Sequence, residues 1–151
     1  MKKSVKITLI ALLSGLLFVQ AVQAGHAQGG FNDTVAKKQI QRYLNNLQTG
    51  NADDMANLFM PNGYVYSTTK GKMNAITFFN AFLPQIKTAQ VTIRNIYKQD
   101  GGYGSWYAAS FHYTYIMKDG EQGGGDYTDE FRFHIGSDRL DGVQMYENLK
   151  F

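Results

Sequence analysis

Lys72–Gln99, KMNAITFFNAFLPQIKTAQVTIRNIYKQ, contains the switch that decides the fold. In its first part Met73, Ile76, Phe79 and Phe82 recur every three or four positions, which puts them on one face of a helix over Lys72–Leu83. Pro84 closes that helix, because its ring fixes φ and it has no N–H to donate. Beyond it the period drops to two. Val91 and Ile93 alternate with Thr92 and Arg94, which predicts a strand over Ala89–Gln99.

Upstream of the switch the chain reads mainly as helix. Ala36, Ile40, Tyr43, Leu44 and Leu47 form one apolar face of a helix capped by Asp33 or Thr34 and stopped by Gly50. Asn51 can cap a second, short helix with Asp54 in its first turn and with Met55, Leu58 and Phe59 buried, ended by Pro61 and Gly63. Tyr64–Ser67 reads as a short strand followed by a polar turn.

Downstream, strand follows strand. Gly101-Gly102 is a turn, Gly104–Met117 a long aromatic strand, and Lys118–Gly125 a glycine-rich hairpin loop with a mobile tip at Gly123-Gly124-Gly125. Tyr127–Ile135 and Leu140–Leu149 are the last two strands, joined at Gly136-Ser137-Asp138. Three helices before a run of long consecutive strands predict an α+β domain with helices on one side of an antiparallel sheet. Long strands with apolar residues on both faces predict a sheet that curls around something and packs its other face on a second subunit.

The N-terminus has a different character. Lys2, Lys3 and Lys6 precede an apolar stretch, Ile7–Val19, and Val22-Gln23-Ala24 offers small residues where a signal peptidase reads. Residues 1–24 are therefore expected to be a secretory signal cleaved after Ala24, with 25–32 a flexible start to the mature chain. The stretch is too short for a stable membrane anchor, which needs about 20 apolar residues. The expected location is the bacterial periplasm or the exterior. Losing three Lys takes the basic count from 15 to 12, against 12 acidic residues, so no basic face is left to attract nucleic acid. With no cysteine there are no disulfides and no thiolate chemistry, and the three His have no metal-ligand spacing. Neither cofactor nor metal is expected.

Two stretches carry a family resemblance. Gln41-Arg42-Tyr43, through Gly50, to Ala56-Asn57-Leu58-Phe59 is similar to the opening of ketosteroid isomerases. Asp129-Glu130-Phe131-Arg132-Phe133 is similar to an Asp-x-Phe-Arg-Phe run in the same enzymes. With the order of elements, these make Thr34–Leu149 resemble the nuclear transport factor 2-like superfamily, including its SnoaL-like members, and assign that domain to 33–151. The resemblance implies a cone: a strongly bent antiparallel sheet with three N-terminal helices closing an apolar pocket.

It also implies site residues. Tyr43 and Asp129 fall where the family places two hydrogen-bond donors to a substrate oxyanion, a role that needs the Asp to stay neutral in a dry site. Alternation puts Asp129 on one face with Phe131 and Phe133. Phe59, Ser67, Phe82 and Phe131 are expected in the pocket wall. The family's general base falls on Ser67, and no Asp or Glu lies between Met60 and Leu83. Serine is a poor base without an activating partner. His112, in the aromatic strand, is the candidate to replace it.

Two functions stay open at this level. In one, the cone binds a small, mostly apolar molecule, with or without a carbonyl, and acts on it as an isomerase, cyclase or dehydratase. In the other, the cone is filled and the domain is a non-catalytic homodimeric scaffold using its sheet face.

Overall fold

The computed structural model describes residues 32–99 and 106–148. The expected signal at 1–24, most of the 25–32 segment, the Gly101-Gly102 turn and Leu149 lie outside the described residues.

Helix α1 spans Asp33–Thr49 and is capped by Asn32, whose side chain accepts from the Thr34 N–H; the expected caps Asp33 and Thr34 already belong to its first turn. Gly50 ends it at φ 67°, a left-handed conformation that a side chain would strain. Helix α2, Ala52–Asn57, starts from Asn51, whose side chain accepts from the Asp54 N–H. Strand β1, Phe59–Ser67, begins earlier than its sequence pattern suggests. Leu58 and Phe59 leave the helix because the Leu140 N–H bonds the Leu58 carbonyl at 2.7 Å and Phe59 pairs with Leu140. The register then shifts before Tyr64. Pro61, which has no N–H to give a ladder, sits in that irregular stretch.

Strand β2, Gly71–Asn74, lies where the sequence reads as turn and helix start. Its four residues pair antiparallel with Tyr64–Ser67, and Asn74 then caps α3, Ala75–Phe82. A single 3₁₀ turn at Leu83–Gln85, holding Pro84, leads into β3, Ile86–Lys98. Strands β4, Trp106–Met117, β5, Gln122–Phe133, and β6, Leu140–Glu147, complete a six-stranded sheet of order β2-β1-β6-β5-β4-β3. Every pairing is antiparallel except β1 with β6, which is parallel.

The glycine-rich run is not a loop. The β4–β5 hairpin turns at Lys118–Glu121, and Gly123, Gly124 and Gly125 pair with Tyr115, Thr114 and Tyr113 inside the ladder. Each glycine makes room for something: a Cβ on Gly123 would lie 2.3 Å from the Tyr115 ring, and one on Gly124 would lie 2.1 Å from the Tyr113 carbonyl.

The helices cover the inner face of this α+β sheet. Ala36, Ile40, Tyr43, Leu44 and Leu47 of α1 pack with Phe79, Val65, Phe111, Phe131 and Val143 in one apolar core. Fully burying such a side chain contributes about 1.5–3 kcal/mol. Polar clamps fix α1 at both ends. The Tyr107 hydroxyl donates to Asp33 Oδ1 at 2.5 Å, while Arg42 and Asn46 both donate to the Asp54 carboxylate on α2. Among the described residues no helix is long and apolar enough to cross a membrane.

Candidate functional site

The deepest polar feature is a single pair. Tyr43 projects from the buried stripe of α1, and Asp129 from β5, where its neighbours across the sheet are Ala109 and Met145. The Tyr43 hydroxyl donates to Asp129 Oδ2 at 3.0 Å. Both residues are 0% exposed. The Tyr43 ring meets Phe131 and Phe79 edge-on, at centroid distances of 5.0 and 5.7 Å. Asp129 Oδ1 has no hydrogen-bond partner among the described residues.

This environment sets the protonation states. Desolvation by burial pushes the Asp129 carboxyl up to about 8, against the smaller opposing effect of the Tyr43 hydrogen bond. Burial, and then the nearby Asp129, pushes the Tyr43 phenol far above its ordinary value. At neutral pH both groups are therefore uncharged, and the carboxylic acid holds a proton.

The pair lies behind the wall of a cavity rather than in it. A cavity of about 180 Å³ opens between the β1–β2 turn and the sheet, walled by Phe78, Phe82, Phe111, Tyr113 and Tyr127 with Ser67 near Met145. Tyr113 and Tyr127 bridge the two features: Tyr113 acts electrostatically on Tyr43, and Asp129 on Tyr127. Burial is the main cause pushing the Tyr127 phenol up to about 12. The Tyr113 hydroxyl reaches only the Leu47 carbonyl, at 3.4 Å, which is long for such a bond.

The other sequence candidates divide between these two places. Ser67 and Phe82 stand in the cavity wall, whereas Phe59 and Phe131 are packed into the core at 1% and 0% exposure. The Ser67 hydroxyl faces Thr69 Oγ1 at 3.1 Å, with no acid or imidazole behind it among its hydrogen-bond partners. His112 needs correcting. Alternation along β4 sends Phe111 and Tyr113 inward and His112 outward, where its Nδ1 lies 2.6 Å from Asp126 Oδ1. Arg94 donates to the same oxygen at 2.7 Å. His112 is on the wrong side of the sheet to exchange a proton with anything in the cone.

Among the wall residues that the sequence reading did not place there, Tyr127, Lys70 and Glu147 carry titratable groups. Glu147 ends β6 on the same face as Val143 and Met145, so strand alternation was the signal that could have found it. A wider, open trough of about 460 Å³ crosses the far end of β3, β4 and β5 between Gln90, Thr114 and Gln122. Among the described residues, Tyr115 is the only titratable group in its wall, which gives it little chemistry. Among the described residues no three His, Cys, Asp or Glu side chains gather as a metal site.

No protein-family model matches the sequence, and no curated protein matches it. Solved structures do match. A nuclear transport factor 2-like superfamily protein from Salmonella enterica aligns over 78% of this chain and 93% of its own, at TM-score 0.64 and 15% identity. An LEH-like epoxide hydrolase from M. tuberculosis aligns over 75% and 82%, at TM-score 0.59 and 14% identity. A Caulobacter vibrioides protein with a cystatin-like fold aligns over 74% and 86%, at TM-score 0.61 and 17% identity. By its six-stranded sheet order, its helix order and these likenesses, the chain has the nuclear transport factor 2-like fold.

Proposed function

We propose that this is an exported cone domain that binds a small, mostly apolar molecule in the cavity beneath the β1–β2 turn. One observation carries the reading: an aromatic-walled cavity of about 180 Å³ opens beside the buried core. That is smaller than the roughly 300–1,000 Å³ of drug-sized sites, which favours a ligand of a few heavy atoms over a steroid. The Tyr113 and Tyr127 hydroxyls are donors in the cavity wall for a carbonyl held there, and the neutral Tyr43–Asp129 pair lies behind them.

Binding is favoured over catalysis by the usual isomerase route. Ser67 has no activating partner and His112 faces outward, so neither can take a proton from a ligand in the cone. Isomerase, cyclase or dehydratase chemistry would need another base. The likeness to an epoxide hydrolase supports a small-molecule role for the fold.

The test is titration with cyclohexanone, a small apolar ketone, followed by the Leu47 and Met145 methyl resonances. Saturable shifts are expected, and Met145→Trp, which fills the cavity, should abolish them with the circular dichroism spectrum unchanged. Shifts that never saturate would remove the reading. Export is checked by the intact mass of the secreted or periplasmic protein, expected to begin at Gly25.

A second reading concerns the outer sheet face. Tyr97, Ala108, Glu130, Gln144 and Tyr66 form one continuous row across β3, β4, β5, β6 and β1. Its end residues Tyr97 and Tyr66 are 42% and 48% exposed. We infer that this face pairs two copies, the exposed Tyr97 and Tyr66 at either end of a row through the almost fully buried Ala108 being able to match their own two-fold mates. Sedimentation equilibrium should give a dimer for the wild type and a monomer for Ala108→Arg. A wild type that is monomeric at every concentration would end this reading.

A further inference from the structure

We propose that the molecule held in this cavity carries an alkylammonium group, with its N-alkyl groups against the rings of Phe82, Tyr113, Tyr115 and Tyr127 and its charge balanced by the Glu147 carboxylate. This rests on the reading of the cavity as a small-molecule site and adds the ligand's charge to it.

The wall is built for a cation. Tyr113 and Tyr115 have centroids 5.2 Å apart, Phe82 and Tyr115 5.5 Å, and Tyr113 and Tyr127 6.3 Å. Successive rings meet at 37°, 90° and 64°, so the wall rings are tilted against one another instead of stacking flat. An aromatic ring carries negative potential over its face, and several rings around one cavity add their attraction for a cation while leaving a neutral guest of the same shape only its burial.

Glu147 supplies what a purely aromatic box lacks. It stands directly across the β5–β6 ladder from Tyr127, on the inner face. A Cβ on Gly125 would come 3.4 Å from Glu147 Oε1, so the carboxylate lies over an inward-facing glycine beside the rings. Its charge also acts on both phenols: it pushes Tyr127 up after the larger effect of burial, and Tyr115 up after burial and the Glu121 charge at the hairpin turn. Among the described residues no cation comes within 4.0 Å of it. Asp129, behind the wall, keeps its proton at neutral pH, so Glu121, which acts on Tyr115 from the hairpin turn, is the other negative charge felt by the rings. The opposing group is Lys70, the one cation in the wall, on the exposed turn between β1 and β2.

The experiment compares two probes of similar shape, tetramethylammonium chloride and neutral neopentyl alcohol, by titration of the Leu47 and Met145 methyl resonances. Tetramethylammonium should bind at least about tenfold more tightly. Glu147→Gln should remove about that factor for the cation and leave the alcohol unchanged, whereas Lys70→Gln should strengthen the cation alone. Equal binding of the two probes, or an indifferent Glu147→Gln, overturns the ammonium inference and leaves an apolar cavity. No saturable shift from either probe overturns the cavity reading with it.

Discussion

The Tyr43 hydroxyl and the Asp129 carboxyl, 86 residues apart in the chain, meet at 3.0 Å with neither exposed to water. This pair makes stability depend on pH in a fixed direction. The native Asp129 holds its proton to about pH 8, whereas the unfolded side chain releases it near the ordinary value of 3.8. Below both values each state is protonated and the native state keeps the full advantage. Between them the unfolded state alone ionises, so stability falls as pH rises, by up to about 1.4 kcal/mol per unit. Above about 8 both states are ionised and the slope disappears. Urea unfolding at about pH 5 and about pH 8 should show the higher midpoint at the lower pH, and Asp129→Asn should remove most of the difference.

Tyr43→Phe separates the hydrogen bond from the packing. The ring can keep its edge-on contacts with Phe79 and Phe131, but Asp129 loses its one partner and both oxygens are left unsatisfied. Leaving a buried polar group unpaired costs about 1–3 kcal/mol. The bond to Tyr43 is also what holds the Asp129 value down against burial. The variant should therefore melt lower and titrate Asp129 higher, measured by carboxyl carbon NMR. A lower Asp129 midpoint in Tyr43→Phe would contradict this account.

Legibility in the sequence followed the strength of local periodicity. The stripe Ala36–Leu47 specifies one burial pattern, and α1 forms where that pattern puts it; the alternation of Val91 with Thr92 marks β3, but the strand starts earlier, at Ile86, and a register shift after Ile93 leaves that side chain 45% exposed instead of inward with Val91. Strand β2 was illegible because four residues, Gly71–Asn74, carry no period; only pairing with Tyr64–Ser67 makes them a strand. Gly123–Gly125 misled for the same reason. Glycine runs signal turns when read locally, but here the missing side chains answer to Tyr115, the Tyr113 backbone and Glu147, which the sequence places elsewhere. At the site, alternation already put Asp129 with Phe131. The same rule applied to Phe111 and Tyr113 would have sent His112 outward, and applied to Val143 and Met145 would have turned Glu147 inward.

Asp54 predicts the opposite pH response from Asp129. Its carboxylate accepts from Arg42 Nε at 2.8 Å, from Arg42 Nη2 and from Asn46 Nδ2 at 2.8 Å, joining α1 to α2. The Arg42 bonds, followed by the Asn46 bond, hold it down at about 2. A depressed acid adds stability above its unfolded value and loses it as pH falls through the folded value. Both side chains are about a third exposed, so solvent screening limits the effect. Asp54→Asn should cost about 1 kcal/mol at neutral pH. That difference should vanish near pH 2, as followed by urea unfolding at the two pH values.

Gly124 and Gly125 should behave differently although they are neighbours in one strand. Gly124 sits at φ +129°, and a Cβ there would lie 2.1 Å from the Tyr113 carbonyl oxygen and 2.7 Å from the Thr114 Cα. Both are backbone atoms of the paired strand, so nothing yields without breaking the β4–β5 ladder. Gly124→Ala should destabilise by more than about 3 kcal/mol, combining a disfavoured backbone with overpacking. At Gly125 the nearest atom is Glu147 Oε1 at 3.4 Å, the end of an exposed, flexible side chain. Gly125→Ala should therefore fold with a change below about 1 kcal/mol. Thermal unfolding of the two variants checks the contrast, and equal losses at both positions would show that the strand does not use its glycines as described.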